Sequence, residues 1–115
     1  MRVFDYREVA AEPVKGAEQT TIRWLISDRT EAPNFAMRVF EVQPGGFSPS
    51  HSHWYEQEMF IIAGQGTVTG PDGERPCAPG TVVYIPPGEP HQLKNTGPET
   101  LRFICCVPLR KPSGA

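Results

Sequence analysis

All three histidines of this 115-residue chain fall in two short stretches, His51 and His53 in SHSHWYEQE and His91 in PPGEPHQL. Residues two apart in an extended segment point to the same side, so the imidazoles of His51 and His53 can meet at one point in space. Such a pair is a ready half of a metal site. An isolated His is ordinarily a hydrogen-bonded core or surface imidazole. A His-x-His pair in a strand-rich chain whose remaining His follows a Pro-Gly turn favours metal ligation. Continuing the alternation puts Tyr55 and Gln57 on the His side, and Glu56 and Glu58 on the other unless a turn resets the count. Gln57 is then a candidate third ligand through its amide oxygen.

These donors need extended segments to hold them, and most of the chain supplies such segments. Thr20 to Ser27, Phe35 to Val42, Glu58 to Ala63, Thr81 to Pro86 and Leu101 to Pro108 are short runs rich in β-branched and aromatic residues, and each is predicted to be a strand. Turn clusters separate them at Gln43 to Gly46, Ala63 to Gly66, Gly70 to Glu74, Ala78 to Gly80 and Pro86 to Pro90, with Asp72-Gly73 a hairpin signal. No stretch keeps a helical period over three turns without Gly or Pro, although Asp5 to Val9 can form one turn. The thirteen Pro and eleven Gly are scattered as punctuation and not gathered into a tract. The reading is an all-β sandwich or barrel with a loose polar tail from Leu109 to Ala115.

Length and composition bound the function. The chain is long enough for one core and one domain. Eleven Lys plus Arg against thirteen Asp plus Glu give a formal charge of -2, with a pI near 5.9, unlike the basic footprint of a nucleic-acid binder. Mean hydropathy is -0.38, no apolar run reaches the roughly 18 to 20 residues that span a bilayer, and MRVFDYREVA offers no signal-peptide core. The expectation is a soluble cytoplasmic protein without nucleic-acid or membrane partners. Cys77, Cys105 and Cys106 form no CxxC pair. They are expected to be free thiols, with Cys105 and Cys106 acting as small buried hydrophobes, one of which can line a cavity.

Two motifs give the chain a family resemblance. Gly45, five residues, His51, one residue, His53, three residues, Gln57, six residues, Gly64 follows the first cupin motif, with Gln where that family usually has Glu. Gly80, five residues, Pro86, one residue, Gly88, two residues, His91, three residues, Asn95 follows the second at every defining position. DRTEAPNFAMRVFEVQPGG and FICCVP also resemble the small single-domain cupins of bacteria and archaea, among them a manganese-binding member from a thermophile. The resemblance implies a double-stranded β-helix, or jelly roll, over residues 1–115, with the motifs at 45–64 and 80–95 and the metal inside the barrel. It further implies His51, His53, Gln57 and His91 as ligands, Gly64, Gly80, Pro86 and Gly88 as turn residues, and a homodimer paired through an outer sheet. Thr20 to Ser27, with Trp24 and Ile26, is the candidate edge. A rival alignment would put Glu58 in the place of Gln57.

Three imidazoles and an amide are all neutral, so the double charge of a divalent ion stays uncompensated in a low-dielectric barrel and invites an anion or an acidified water. Mn, Fe, Zn, Ni and Cu all suit such donors. Met59 and Ile61 continue the Gln57 face, and Phe103 shares a face with Cys105; these four are candidate pocket residues. Arg38 lies among apolar neighbours and, turned inward, can clamp a carboxylate. Tyr55 and Trp54 lie beside the ligands at the expected barrel mouth, with Tyr55 a candidate acid, base or lid residue. The functional expectation is a metal-dependent oxygenase or oxidoreductase acting on a small organic substrate, with an anion as a candidate. A non-redox isomerase or lyase of a sugar-derived keto acid and a non-catalytic binding module are the alternatives.

Overall fold

The computed structural model describes residues 1–111. Asp5 caps a single 3-10 turn at Tyr6–Glu8 by accepting from the Arg7 backbone N–H, matching the one turn expected there. Nine strands follow: β1 Glu12–Pro13, β2 Glu18–Ile26, β3 Phe35–Phe47, β4 Gln57–Ala63, β5 Gly66–Gly70, β6 Gly73–Cys77, β7 Val82–Ile85, β8 Gln92–Asn95 and β9 Leu101–Pro108. All pair antiparallel in one curled sheet of order β6-β5-β8-β3-β9-β4-β7, and β2 adds to β3 with β1 on its far side. This is the all-β jelly roll that the motifs imply.

The five expected strands are all present, but β3 does not stop at Val42. Gln43 to Gly46, expected as a turn, forms an irregular stretch inside β3. Register runs from Thr20↔Val42 to Glu18↔Phe47, so these four residues face only Gln19 on β2. Gly45 sits at φ +81°, and a Cβ on Gly46 would lie 2.6 Å from the Glu18 carbonyl oxygen. The stretch bends β3 without ending it, so that its first half pairs with β9 and Phe47 reaches Lys94 of β8. Strands β5, β6 and β8 lie in segments where no strand was expected, because each is only four or five residues long, GERPC and QLKN are mostly polar, and GTVTG is bounded by Gly at both ends. The Asp72-Gly73 signal did locate the β5–β6 hairpin, whose ends pair Gly70 with Gly73.

Alternation builds the interior. On β9, Leu101, Phe103, Cys105 and Val107 are buried while their neighbours are only partly so. Phe103 stacks on Phe40 of β3 with ring centroids 5.1 Å apart, and each such buried side chain contributes about 1.5–3 kcal/mol of hydrophobic stabilisation. Motif residues serve the frame. Gly64, Gly80 and Gly88 have φ of +82°, +95° and +80°, and a Cβ on Gly64 would strike the Thr100 carbonyl. Buried Asn95 donates from Nδ2 to the carbonyls of Val42 and Glu99, and its Oδ1 accepts from the Gly97 N–H.

Two expectations change. Trp24 is not on an outward edge: it turns into the barrel, because it pairs across from inward-facing Arg38. Ile26, the other apolar residue of that candidate edge, is exposed, as are Phe35, Phe60, Val82 and Tyr84 on β3, β4 and β7. At the other end, Leu109 and Arg110 are tied down, the Leu109 N–H and the Arg110 guanidinium donating to the carbonyls of Asn34 and Pro33. Lys111 places its Nζ 5.5 Å from the Trp54 ring centroid, and the remainder of the expected loose tail, residues 112–115, lies outside the described residues.

Candidate metal centre

The two motifs are joined by backbone before any side chain meets. His51 and His91 form an isolated antiparallel bridge, His91 N–H donating to the His51 carbonyl at 3.0 Å and His51 N–H to the His91 carbonyl at 3.3 Å. The Gly88 N–H adds a 2.6 Å bond to the His53 carbonyl. The turn before His91 therefore clamps the segment that carries the other two imidazoles. The result is a cluster in which a ligating nitrogen from each His lies within 4.8 Å of the others. Ring centroids are 4.1 Å apart for His51 and His53, and 5.5 Å from each of these to His91.

Exposure is graded across the cluster: His51 is exposed, His53 intermediate and His91 buried. His91 Nδ1 lies 3.0 Å from the Glu89 carbonyl. That contact fixes the proton on Nδ1 and leaves the Nε2 lone pair free for a cation. Burial lowers the pKa of His53 to about 4, with the charges of His51, His91 and Arg38 adding to the effect. Burial, then His91 and Arg38, lowers that of His51 as well. Both rings are thus neutral donors at ordinary pH.

Gln57 begins β4 facing inward, 4% exposed, while Glu58 faces outward into solvent. Alternation runs through residues 55 to 59 without a reset, so the carboxylate of Glu58 points away from the imidazoles. The Gln57 Nε2 donates to Cys105 Sγ at 3.7 Å, and Oε1 is buried with no partner. A buried amide oxygen without a donor is costly by about 1–3 kcal/mol, and Gln57 is one of the residues that line the same cavity as the three imidazoles. The three clustered imidazoles therefore fit a divalent transition ion, and Gln57 places a neutral amide on the same cavity wall.

The cavity around them has a volume of about 270 Å³. Tyr55 stacks on His53 with centroids 4.4 Å apart and planes at 8°, and its phenol pKa is raised, chiefly by burial. Exposed Trp54 packs edge-on against Tyr55 and does not line the cavity. Met59, Phe103 and Cys105 line the wall as alternation implied. Ile61 does not: it is fully buried in the core, because four residues along β4 carry it about 13 Å from Gln57. Arg38 is inward and only 6% exposed, its Nη2 donating to Cys105 Sγ at 3.0 Å. Sequence reading missed Trp24, Phe40 and Ile22 on the wall, and Lys15 at it. The period of β2 and β3 was available as a signal for the first three. Lys15 had none, since the pairing of β1 with β2 places its loop.

A family model described as a cupin domain matches residues 38–107, well over half of the chain. The chain belongs to the cupin family. Among solved cupin structures, the polyketide cyclase RemF from Streptomyces resistomycificus superposes with a TM-score of 0.89 and 34% identity, covering 97% of this chain and 82% of that one. Among curated sequences, the 1-methylthio-D-xylulose 5-phosphate methylsulfurylase of Rhodospirillum rubrum is 34% identical over 71 residues, 62% of this chain and 46% of that protein. The glucose-6-phosphate isomerase of Pyrococcus abyssi is 38% identical over 64 residues, 50% of this chain and 34% of that protein. This cupin chain spans less than half the length of these curated relatives. No helix among the described residues is long and apolar enough to cross a membrane.

Proposed function

We propose that this cupin is a metal-dependent, non-redox enzyme that promotes carbon–carbon ring closure or a related rearrangement in a small substrate with 1,3-placed carbonyl groups. The observation that carries the reading is a set of four neutral donors in a cavity whose described lining contains no Asp or Glu. In this reading His51, His53, His91 and Gln57 Oε1 hold the ion. When bound, it supplies Lewis-acid polarisation of a carbonyl oxygen.

The chain's own groups limit what the reaction asks of them. Without a carboxylate base in the wall, the substrate must bring an already acidic C–H, as a carbon between two carbonyls does. A sugar phosphate, whose α-hydroxy carbon is far less acidic, fits less well. Tyr55, kept protonated by its raised pKa, suits a proton donor at its hydroxyl better than a base. Trp24, Phe40 and Phe103 give flat apolar walls that fold an extended chain and exclude water. The 34% identity to a polyketide cyclase over nearly the whole chain supports the same reading.

The test is turnover of an aryl 1,3,5-triketone under nitrogen and in air, with metal content measured in the purified protein. The expected outcome is metal-dependent ring closure at equal rates in both gases, abolished by a chelator. Stoichiometric oxygen uptake would instead establish the oxygenase expected from sequence. Ligand binding without turnover would establish a binding module.

A further inference from the structure

The cavity wall carries charge of one sign only. Among the described residues its lining includes Lys15 and Arg38 but no acidic side chain, although the whole chain is net negative. Lys15 is exposed and draws on solvent. Arg38 does not: it is 6% exposed, and among the described residues no carboxylate forms an ion pair with it. Its guanidinium lies 5.1 Å from the Trp24 ring centroid and 5.2 Å from that of Phe40. Nη2 meets a thiol, Cys105 Sγ, and buried Nε has no partner among the described residues.

Those contacts do not balance the burial. Two aromatic faces offset only part of the desolvation penalty of a buried ion. A guanidinium left this way, on the wall of an open cavity and with no carboxylate beside it among the described residues, is incomplete without an anion. We infer that Arg38 binds the carboxylate of a substrate whose body is apolar and of aromatic size. This rests on the reading of the cavity as the reaction site, and names the class of molecule that enters it.

The same surroundings argue against a phosphate. One planar guanidinium matches a planar carboxylate in charge and in fork geometry. A phosphate dianion calls for more donors, usually backbone N–H groups at a helix start. The described residues have only two three-residue 3-10 turns, Tyr6–Glu8 and Asp28–Thr30, and neither lines the cavity. Ile22, Met59 and the aromatic rings complete walls suited to a hydrocarbon body.

The experiment is calorimetric titration of the metal-loaded protein with benzoate, benzamide and phenyl phosphate, repeated on Arg38→Met, Arg38→Lys and His53→Ala. Benzoate is expected to bind about tenfold or more tighter than benzamide, with phenyl phosphate no tighter than benzoate. In Arg38→Met that advantage shrinks below about twofold while metal content holds, and in Arg38→Lys, which keeps the charge without the fork, part of it survives. If Arg38→Met does not fold, the loss in Arg38→Lys decides. Tighter binding of phenyl phosphate, or a benzoate advantage untouched by both Arg38 variants, overturns the inference. An advantage lost only in His53→Ala puts the carboxylate at the ion and overturns it too, leaving the proposed function standing. Protein that never holds metal but loses the advantage with Arg38 supports the inference while the proposed function fails.

Discussion

Strand β3 carries two charge clusters three residues apart, on opposite faces of the sheet. On the outer face Glu41 accepts from Arg23 at 3.4 Å and from Arg102 at 2.9 Å, with the Tyr6 ring 5.5 Å and 5.9 Å from the two guanidinium carbons. Arg23 also donates to the Val9 carbonyl at 2.6 Å, tying the N-terminal segment to the barrel. On the inner face Arg38 has rings and a thiol but no anion. Arginine takes part in both clusters, and β3 contributes one residue to each. One cluster closes on its own partners and acts on stability; the other stays open and faces a cavity. The difference shows that an arginine's role is read from whether its charge is met, not from its presence.

Removing a metal donor is the largest way to test the inner cluster. His53→Ala is expected to weaken metal binding about 100-fold or more, read by elemental analysis after dialysis, whereas Glu41→Gln leaves metal content unchanged. Loss of metal in Glu41→Gln would mean that the two faces are not independent.

Stability separates the arginines next. Glu41→Gln strands two partly buried guanidinium groups and is expected to cost about 1–3 kcal/mol in chemical denaturation. Arg38→Met replaces an unmet buried charge with a hydrophobe and is expected to leave the midpoint unchanged or raise it. Equal destabilisation by both substitutions would break the comparison.

A smaller effect follows from His53. Burial holds its folded pKa near 4 against an ordinary value of 6.5, so between those values the unfolded chain binds more protons than the native one. Stability of the metal-free protein is therefore expected to fall as pH drops from about 6.5 to about 4, and to lose nothing further from this group below that. His53→Asn should flatten that part of the curve in urea titrations. The smallest expected effect belongs to Glu58→Gln: with its side chain outward, metal content and ligand binding should both stay at the level of the unsubstituted protein.

Much of the site was legible because it depends on local period. His51, His53, Gln57 and His91 could be named from two-residue alternation and a Pro-Gly turn, and the outward placement of Glu58 follows from the same count. The fold was legible where strands were apolar, as in Leu101–Pro108, and illegible where they were polar and short, as in Gly73–Cys77, whose first four residues are exposed. Gln43 to Gly46 misled because a Pro-Gly-Gly run ordinarily ends a strand, while here pairing on both sides carries β3 past it. Trp24 misled because an aromatic residue on a presumed edge strand looks like an interface residue until its partner across the ladder is known.

Alternation, glycine placement and donor type are properties of consecutive residues, so the chain alone determined an all-β barrel and three imidazoles able to converge on a cation. Which charges would be answered is a property of residues distant along the chain. Arg38 and Glu41 look alike as charged interruptions in an apolar run; only the assembled sheet brought Arg23 and Arg102 to Glu41 and left Arg38 facing a thiol. Coulomb and desolvation energies depend on what lies within a few ångströms and how much water remains, and those distances exist only once the barrel has closed.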